Sequence, residues 1–191
     1  MLERLERLPT DPILGLMGLY RADTDPRKVD LGVGVYRNDL GETPILGAVR
    51  RAEQVVLSRQ ATKSYVAPAG NASFNQAMAK LVLGEGHPAL VADRVRSIQA
   101  PGGCGALRLG AEVFRAAQPD TVVHVSTPTW ANHVPLLSGC GLKLERYPYY
   151  DAATGGVKFD EMVGSLDRLP ARSLVLLHAS CHNPTGADLS E

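Results

Sequence analysis

The sequence predicts an α/β protein built on a mostly parallel sheet with helices on both faces. Three observations carry that expectation. From residue 95 onward, strand-like runs at 95–100, 121–126, 142–147 and 173–179 alternate with helical patterns at 105–117, 132–138 and 160–169. The strand-like runs are nearly continuous in apolar residues, as burial on both faces requires. The unusual residues gather in loops that each follow a strand, and in open α/β sheets ligands bind beyond the carboxyl ends of the strands.

The elements before residue 95 are less regular. Residues 1–11 read as a short amphipathic arm, and Pro9 and Pro12 together favour a rigid, extended linker over a continuing helix. Residues 28–36 form a β-branched run interrupted by Gly32 and Gly34, and glycine inside such a run marks a bend or a close backbone approach. Pro44 opens a helical pattern in which Ile45, Val49, Ala52 and Val56 recur. A second helix follows Asn71, with Phe74, Ala77, Met78, Leu81 and Val82 on one face and Gly84 as its stop. There is no internal repeat and no low-complexity segment.

Composition narrows the class. Twenty basic and twenty acidic residues cancel, so no net field favours nucleic acid or an anionic membrane surface. The first nine residues alternate Leu with Glu and Arg and lack the apolar centre of a signal peptide. The apolar runs are too short to span a bilayer. Cys104, Cys140 and Cys181 are odd in number and widely spaced, which argues against a disulfide framework and for a reducing, cytoplasmic compartment.

Three loops hold the chemistry. In Pro101-Gly102-Gly103-Cys104-Gly105 the glycines run directly into a helical pattern. Free N–H groups there either cradle a phosphate or simply close a tight strand-to-helix turn. The spacing fits neither a dinucleotide fingerprint nor a Walker loop. In the second loop, Trp130 either stacks on a flat ligand or plugs the core edge, and His133 is by default a structural hydrogen-bonder. In the third, His178, Cys181 and His182 match no zinc spacing, so no metal site is expected. Cys181 beside His182 is a weak nucleophile pair, because neighbours on an extended segment point to opposite faces.

At these loops the sequence resembles the class I aminotransferases that use pyridoxal 5′-phosphate (PLP), of the aspartate and aromatic-amino-acid (tyrosine) type. His182-Asn183-Pro184-Thr185-Gly186 resembles that family's signature. In the family's order stand Leu31-Gly32-Val33-Gly34-Val35-Tyr36, Tyr65, Pro101 to Leu107, and Pro128-Thr129-Trp130-Ala131-Asn132-His133. The resemblance runs through the whole chain and implies a fold-type-I PLP-dependent transferase. Its implied parts are an arm (1–11), the N-terminal part of a small domain (12–43) and the N-terminal part of an incomplete PLP-binding large domain (44–191).

The resemblance also implies roles. Gly102, Gly103 and Cys104 would hold the cofactor phosphate through backbone N–H groups, and Trp130 would stack on the pyridine ring. Asn183 would donate to the phenolic O3′, and His133 would buttress an aspartate that keeps the ring nitrogen protonated. The Gly34 N–H would meet the substrate α-carboxylate, so Gly34, Trp130 and Asn183 form the substrate side. Tyr65 would reach the cofactor phosphate of a partner in a homodimer. Thr127–Pro128 and Asn183–Pro184 are candidate cis peptides. Cys104 departs from the family's usual Thr or Ser, and a thiol is a weaker donor to phosphate.

The implied reaction passes an amino group from aspartate or an aromatic amino acid to a 2-oxo acid such as 2-oxoglutarate. The lysine that forms the Schiff base with PLP belongs to a Ser-x-x-Lys context in this family. Lys28, Lys63, Lys80, Lys143 and Lys158 all lie elsewhere. These 191 residues alone are therefore expected not to transaminate, and to leave apolar faces and a sheet edge exposed, giving a poorly soluble or partly unfolded product. The alternatives are a non-catalytic dimerisation or regulatory piece, or another fold-type-I enzyme such as a β-lyase.

Overall fold

The computed structural model describes residues 12–30, 32 and 34–190, with the backbone alone for 12–14. The 1–11 arm, Leu31 and Val33 lie outside the described residues. The chain divides into two compact units, Met1–Ser64 and Tyr65–Glu191.

The first unit contains helices α1 (Pro12–Ala22) and α2 (Gly47–Arg59). Proline at the first position starts α1 where its missing N–H costs nothing. Lys28 closes the other end. Its Nζ donates to the carbonyls of Tyr20 (2.7 Å) and Asp23 (2.6 Å), placing a cation where the helix dipole favours one. Helix α2 begins at Gly47 rather than at Pro44. Leu46, at its N-cap, is in an extended conformation and offers no side-chain cap, so nothing holds residues 44–46 in the helix. No residue of α2 is buried.

The second unit opens with α3 (Ala72–Leu83) and the short α4 (Pro88–Val91). Asn71 caps α3 by accepting from the Phe74 N–H at 3.0 Å, and Gly84 ends it at φ +86°. Residues 95–100, predicted as a strand, are not one. Val95, Ser97 and Ala100 are half-buried and Arg96, Ile98 and Gln99 exposed, a strand-like alternation with no ladder. A strand exists only with a neighbour to bond, and Gln99 instead pairs its N–H with the Ala69 carbonyl at 2.9 Å.

The sheet follows: α5 (Gly102–Ala117), β1 (Val122–Thr127), α6 (His133–Ser138), β2 (Lys143–Pro148), the hairpin β3 (Tyr150–Asp151) and β4 (Gly156–Val157), α7 (Phe159–Leu166), and β5 (Leu174–Val175). The three long-sheet strands run parallel in the order β2–β1–β5. Period-two alternation assigns two cores. Val123, Val125, Leu144, Leu174 and Leu176 pack with Ala111 of α5, Leu137 of α6, Cys140 and Leu142. On the other face Tyr147 and Val175 pack with Tyr149 and with Met162, Val163 and Leu166 of α7. Only central β1 is buried on both faces. Strand β2 exposes Lys143, Glu145 and Arg146, a correction to the expected continuous burial. These charges also blunt a sheet edge.

Strand β5 spans two residues rather than the predicted 173–179. After Leu176 donates to the His124 carbonyl at 2.9 Å the chain leaves the sheet. Two residues further on, the His178 ring packs against His133 and His182 instead. The hairpin β3–β4 was not foreseen; its two-residue strands are too short to show a period. Among the described residues no helix is long and apolar enough to cross a membrane.

Candidate functional site

The loop after β1 and the chain after β5 converge beyond the carboxyl ends of the strands. Trp130 meets His133 edge-on, with ring centroids 5.2 Å apart. His133 meets His178 the same way at 5.2 Å. His178 then stacks on His182 at 4.1 Å, and His182 stacks on Tyr149 at 4.1 Å. A continuous row of five rings thus links Trp130 to Tyr149. Both turns contain a cis peptide as anticipated, Thr127–Pro128 and Asn183–Pro184.

Hydrogen bonds order the row. Thr129 Oγ1 lies 2.8 Å from His133 Nδ1. The Asn183 N–H donates to His178 Nδ1 at 3.2 Å, which places the His178 ring proton on Nε2 in the neutral tautomer. That Nε2 is buried and has no partner among the described residues. An orphaned donor beside Asn183 fits a pocket that receives a polar ligand or further side chain. Burial holds all three histidines below the ordinary imidazole pKa, with mutual repulsion adding to the effect at His133 and His182. Asp188 opposes the shift at His178 and His182. The row is accordingly neutral at pH 7.

The glycine loop is the second component. Pro101 sits at the N-cap of α5 and provides no side-chain cap. None of the N–H groups of Gly102–Gly105 donates to a described residue outside the helix. The glycines separate into two kinds. At Gly105 an added Cβ would lie 2.9 Å from Pro101 Cδ, so glycine is required for packing. At Gly102 and Gly103 an added Cβ would meet nothing within 4 Å. Gly102 needs glycine for its backbone at φ +68°, whereas Gly103 has no internal reason to be glycine. The uncapped N–H groups at this helix start are suited to an anion, while the space beside Gly103 opens onto an apolar groove lined by Leu107, Phe114, Leu137 and Leu176. The Cys104 thiol is exposed at this helix end.

The other sequence candidates are placed as follows. Tyr65 is fully exposed at 103% and leaves its ring free. Gly34 belongs to the first unit, exposed and with nothing within 4 Å of an added Cβ. Trp130, His133 and Asn183 are brought together through His178, and Gly102–Cys104 form the first turn of α5 in the same unit.

Residues 26–191 match the family described as aminotransferase class I and II. The chain belongs to that family. It is 46% identical over 185 residues to an aspartate aminotransferase of Pseudomonas aeruginosa, covering 97% of this chain and 46% of the relative. It is 45% identical over 190 residues to an aromatic-amino-acid aminotransferase of Paracoccus denitrificans, covering 100% of this chain and 48% of the relative. The solved aromatic amino acid aminotransferase from Burkholderia cenocepacia J2315 superposes with a TM-score of 0.95 at 44% identity. The aromatic-amino-acid aminotransferase from Burkholderia pseudomallei, solved covalently bound to pyridoxal phosphate, gives 0.93 at 44% identity. Each match covers 100% of this chain and 48% of the solved one. The chain therefore spans about half the length of the aminotransferases it matches.

Within this aminotransferase fold, sequence reasoning gave no role to Ser126, Tyr149, Thr185 or Asp188, and weighed His178 as a metal ligand and His182 as a metal ligand or the neighbour of a Cys181 nucleophile. The pair of histidines four apart in an extended segment was the available signal. Two of their partners, Ser126 on β1 and Tyr149 after β2, are distant in sequence.

Proposed function

We propose that this chain supplies the PLP-holding half-site of an aminotransferase that moves an amino group between an acidic or aromatic amino acid and a 2-oxo acid. The observation that carries this reading is the contrast within the glycine loop. Gly105 is explained by packing, whereas Gly102 and Gly103 stand at an uncapped helix start whose N–H groups find no described partner outside the helix. PLP, when bound, withdraws electrons from the substrate's α-carbon so that its proton becomes labile.

The chain's own residues bind and orient. The N–H groups of Gly102, Gly103 and Cys104 donate to phosphate oxygens, helped by the positive end of a 16-residue helix. The Trp130 indole stacks on the ring face, and the Asn183 amide donates to O3′, favouring the ionised phenol. His133, neutral and held by Thr129, supports the group that binds the ring nitrogen. The Gly34 N–H receives the substrate carboxylate, and the exposed Tyr65 reaches the phosphate bound by a second copy. The relatives named for aspartate and for aromatic amino acids are equally similar, which supports both donor classes. Three free cysteines support a reducing cytoplasm.

Trp130 is the only tryptophan, so its fluorescence reports on the site. Titration with PLP is expected to quench it, with inorganic phosphate competing. Absence of quenching, or quenching that phosphate leaves untouched, overturns the proposal.

A further inference from the structure

His182 is buried to 2% exposure, yet no role in holding PLP or substrate falls to it. Every polar group it has is engaged. Its Nε2 lies 2.9 Å from Ser126 Oγ and its Nδ1 2.8 Å from Thr185 Oγ1. Its backbone N–H donates to Asp188 Oδ1 at 2.8 Å, and its carbonyl accepts from the Gly186 N–H at 2.7 Å. The second Asp188 oxygen takes the Cys181 N–H at 2.8 Å. Tyr149 and His178 hold the ring flat between them, inclined to it by 14° and 22°.

Ser126 is fully buried near the end of the central strand. A hydroxyl there is costly unless paired, and two apolar side chains would fill the same space without that requirement. Packing alone therefore does not explain the pair. Its placement does. Ser126 lies four residues before Trp130, and His182 lies immediately before Asn183. Asn183 exposes its side chain and carries no side-chain hydrogen bond among the described residues. A free amide is thus delivered by a neighbour fixed at ring, N–H and carbonyl.

We propose that His182 is a positioning residue for Asn183, tying the Asn183 turn to β1 through the Ser126 hydroxyl and so fixing the Asn183 and Trp130 loops relative to each other. This rests on the reading that Asn183 faces the PLP ring. The hydroxyls of Ser126 and Thr185 can each donate or accept, so both bonds persist in either imidazole tautomer.

The test uses the 191-residue chain with Ser126→Ala, Thr185→Val and Thr185→Ser, followed by amide hydrogen exchange and by Trp130 fluorescence titrations. Ser126→Ala and Thr185→Val are expected to speed exchange at the Asn183 N–H about tenfold while leaving the amides of α5 and α7 unchanged. Both should weaken PLP binding about five- to tenfold and leave inorganic phosphate affinity unaltered. Thr185→Ser, which keeps the hydroxyl, should restore both values. In an Asn183→Ala background, Ser126→Ala should weaken PLP no further. Equal loss of PLP and phosphate binding, or unchanged exchange at Asn183, overturns the positioning role. If Ser126→Ala unfolds, Thr185→Val carries the same comparison from a half-buried site. If Asn183→Ala binds PLP as tightly as the parent chain, the cradle reading fails, while exchange at Asn183 still decides whether His182 orders the turn.

Discussion

Replacing Gly103 and Gly105 in turn by alanine separates binding from folding within one helical turn. At position 103 the new methyl meets nothing within 4 Å and the backbone is not left-handed. Alanine loses less chain entropy than glycine on entering a helix, so Gly103→Ala should be about 0.5 kcal/mol more stable than the parent. At position 105 the methyl falls 2.9 Å from Pro101 Cδ and 3.0 Å from Cγ. Carbon atoms prefer about 3.5–4.0 Å, and a proline ring at a helix cap cannot swing aside. Overpacking of about 1–3 kcal/mol, offset by about 0.5 kcal/mol of helix preference, leaves Gly105→Ala about 0.5–2.5 kcal/mol less stable. Binding should show a different order. On the proposed cradle reading, a methyl beside the Gly103 N–H crowds the phosphate, so PLP affinity falls about tenfold or more even as stability rises. Urea unfolding followed by far-ultraviolet circular dichroism gives the first quantity, and Trp130 quenching by PLP the second. A Gly103→Ala chain as damaged as Gly105→Ala, or one that binds PLP like the parent, would refute the division between packing and ligand-facing glycines.

Two further outcomes follow from the buried network. The folded-state pKa values of His133, His178 and His182 are lowered from 6.5, so at mildly acidic pH the unfolded chain binds more protons than the folded one. Their contribution is intact above 6.5, declines as pH falls from there toward the folded values, and then levels off; a urea midpoint that rises between pH 7.5 and 5.5, values chosen about one unit either side of the imidazole pKa, contradicts this. The Tyr147 hydroxyl, whose pKa burial pushes up to about 12, donates to the Leu176 carbonyl at 2.9 Å. Tyr147→Phe should cost about 1 kcal/mol by urea unfolding and loosen the chain where it leaves β5; a loss below about 0.3 kcal/mol would show that the bond contributes little.

The α/β class, the helices α3, α5 and α7, and the parallel strands β1 and β2 were legible in the sequence, because hydrophobic period and capping are local properties. Asn71 and Gly84 mark the ends of α3 in the sequence and cap them in the structure. Trp130, His133 and Asn183, which the family's motifs single out, converge in the structure, and both expected cis prolines occur. Residues 95–100 show the limit. Their alternation is that of a strand, but a ladder needs a partner, and Gln99 bonds the Ala69 carbonyl instead.

The sequence alone therefore determined which residue types stand in which loop, and that those loops follow strands. Only the tertiary structure decided what they touch. Residues 56 positions apart, Ser126 and His182, become hydrogen-bond partners because β1 and β5 lie side by side. Tyr149, after the edge strand β2, becomes the floor on which His182 stacks. The distinction between Gly103 and Gly105 likewise depends on the position of the Pro101 ring in space. Local preferences are written into each short segment, whereas contact between distant segments depends on how the sheet orders its strands.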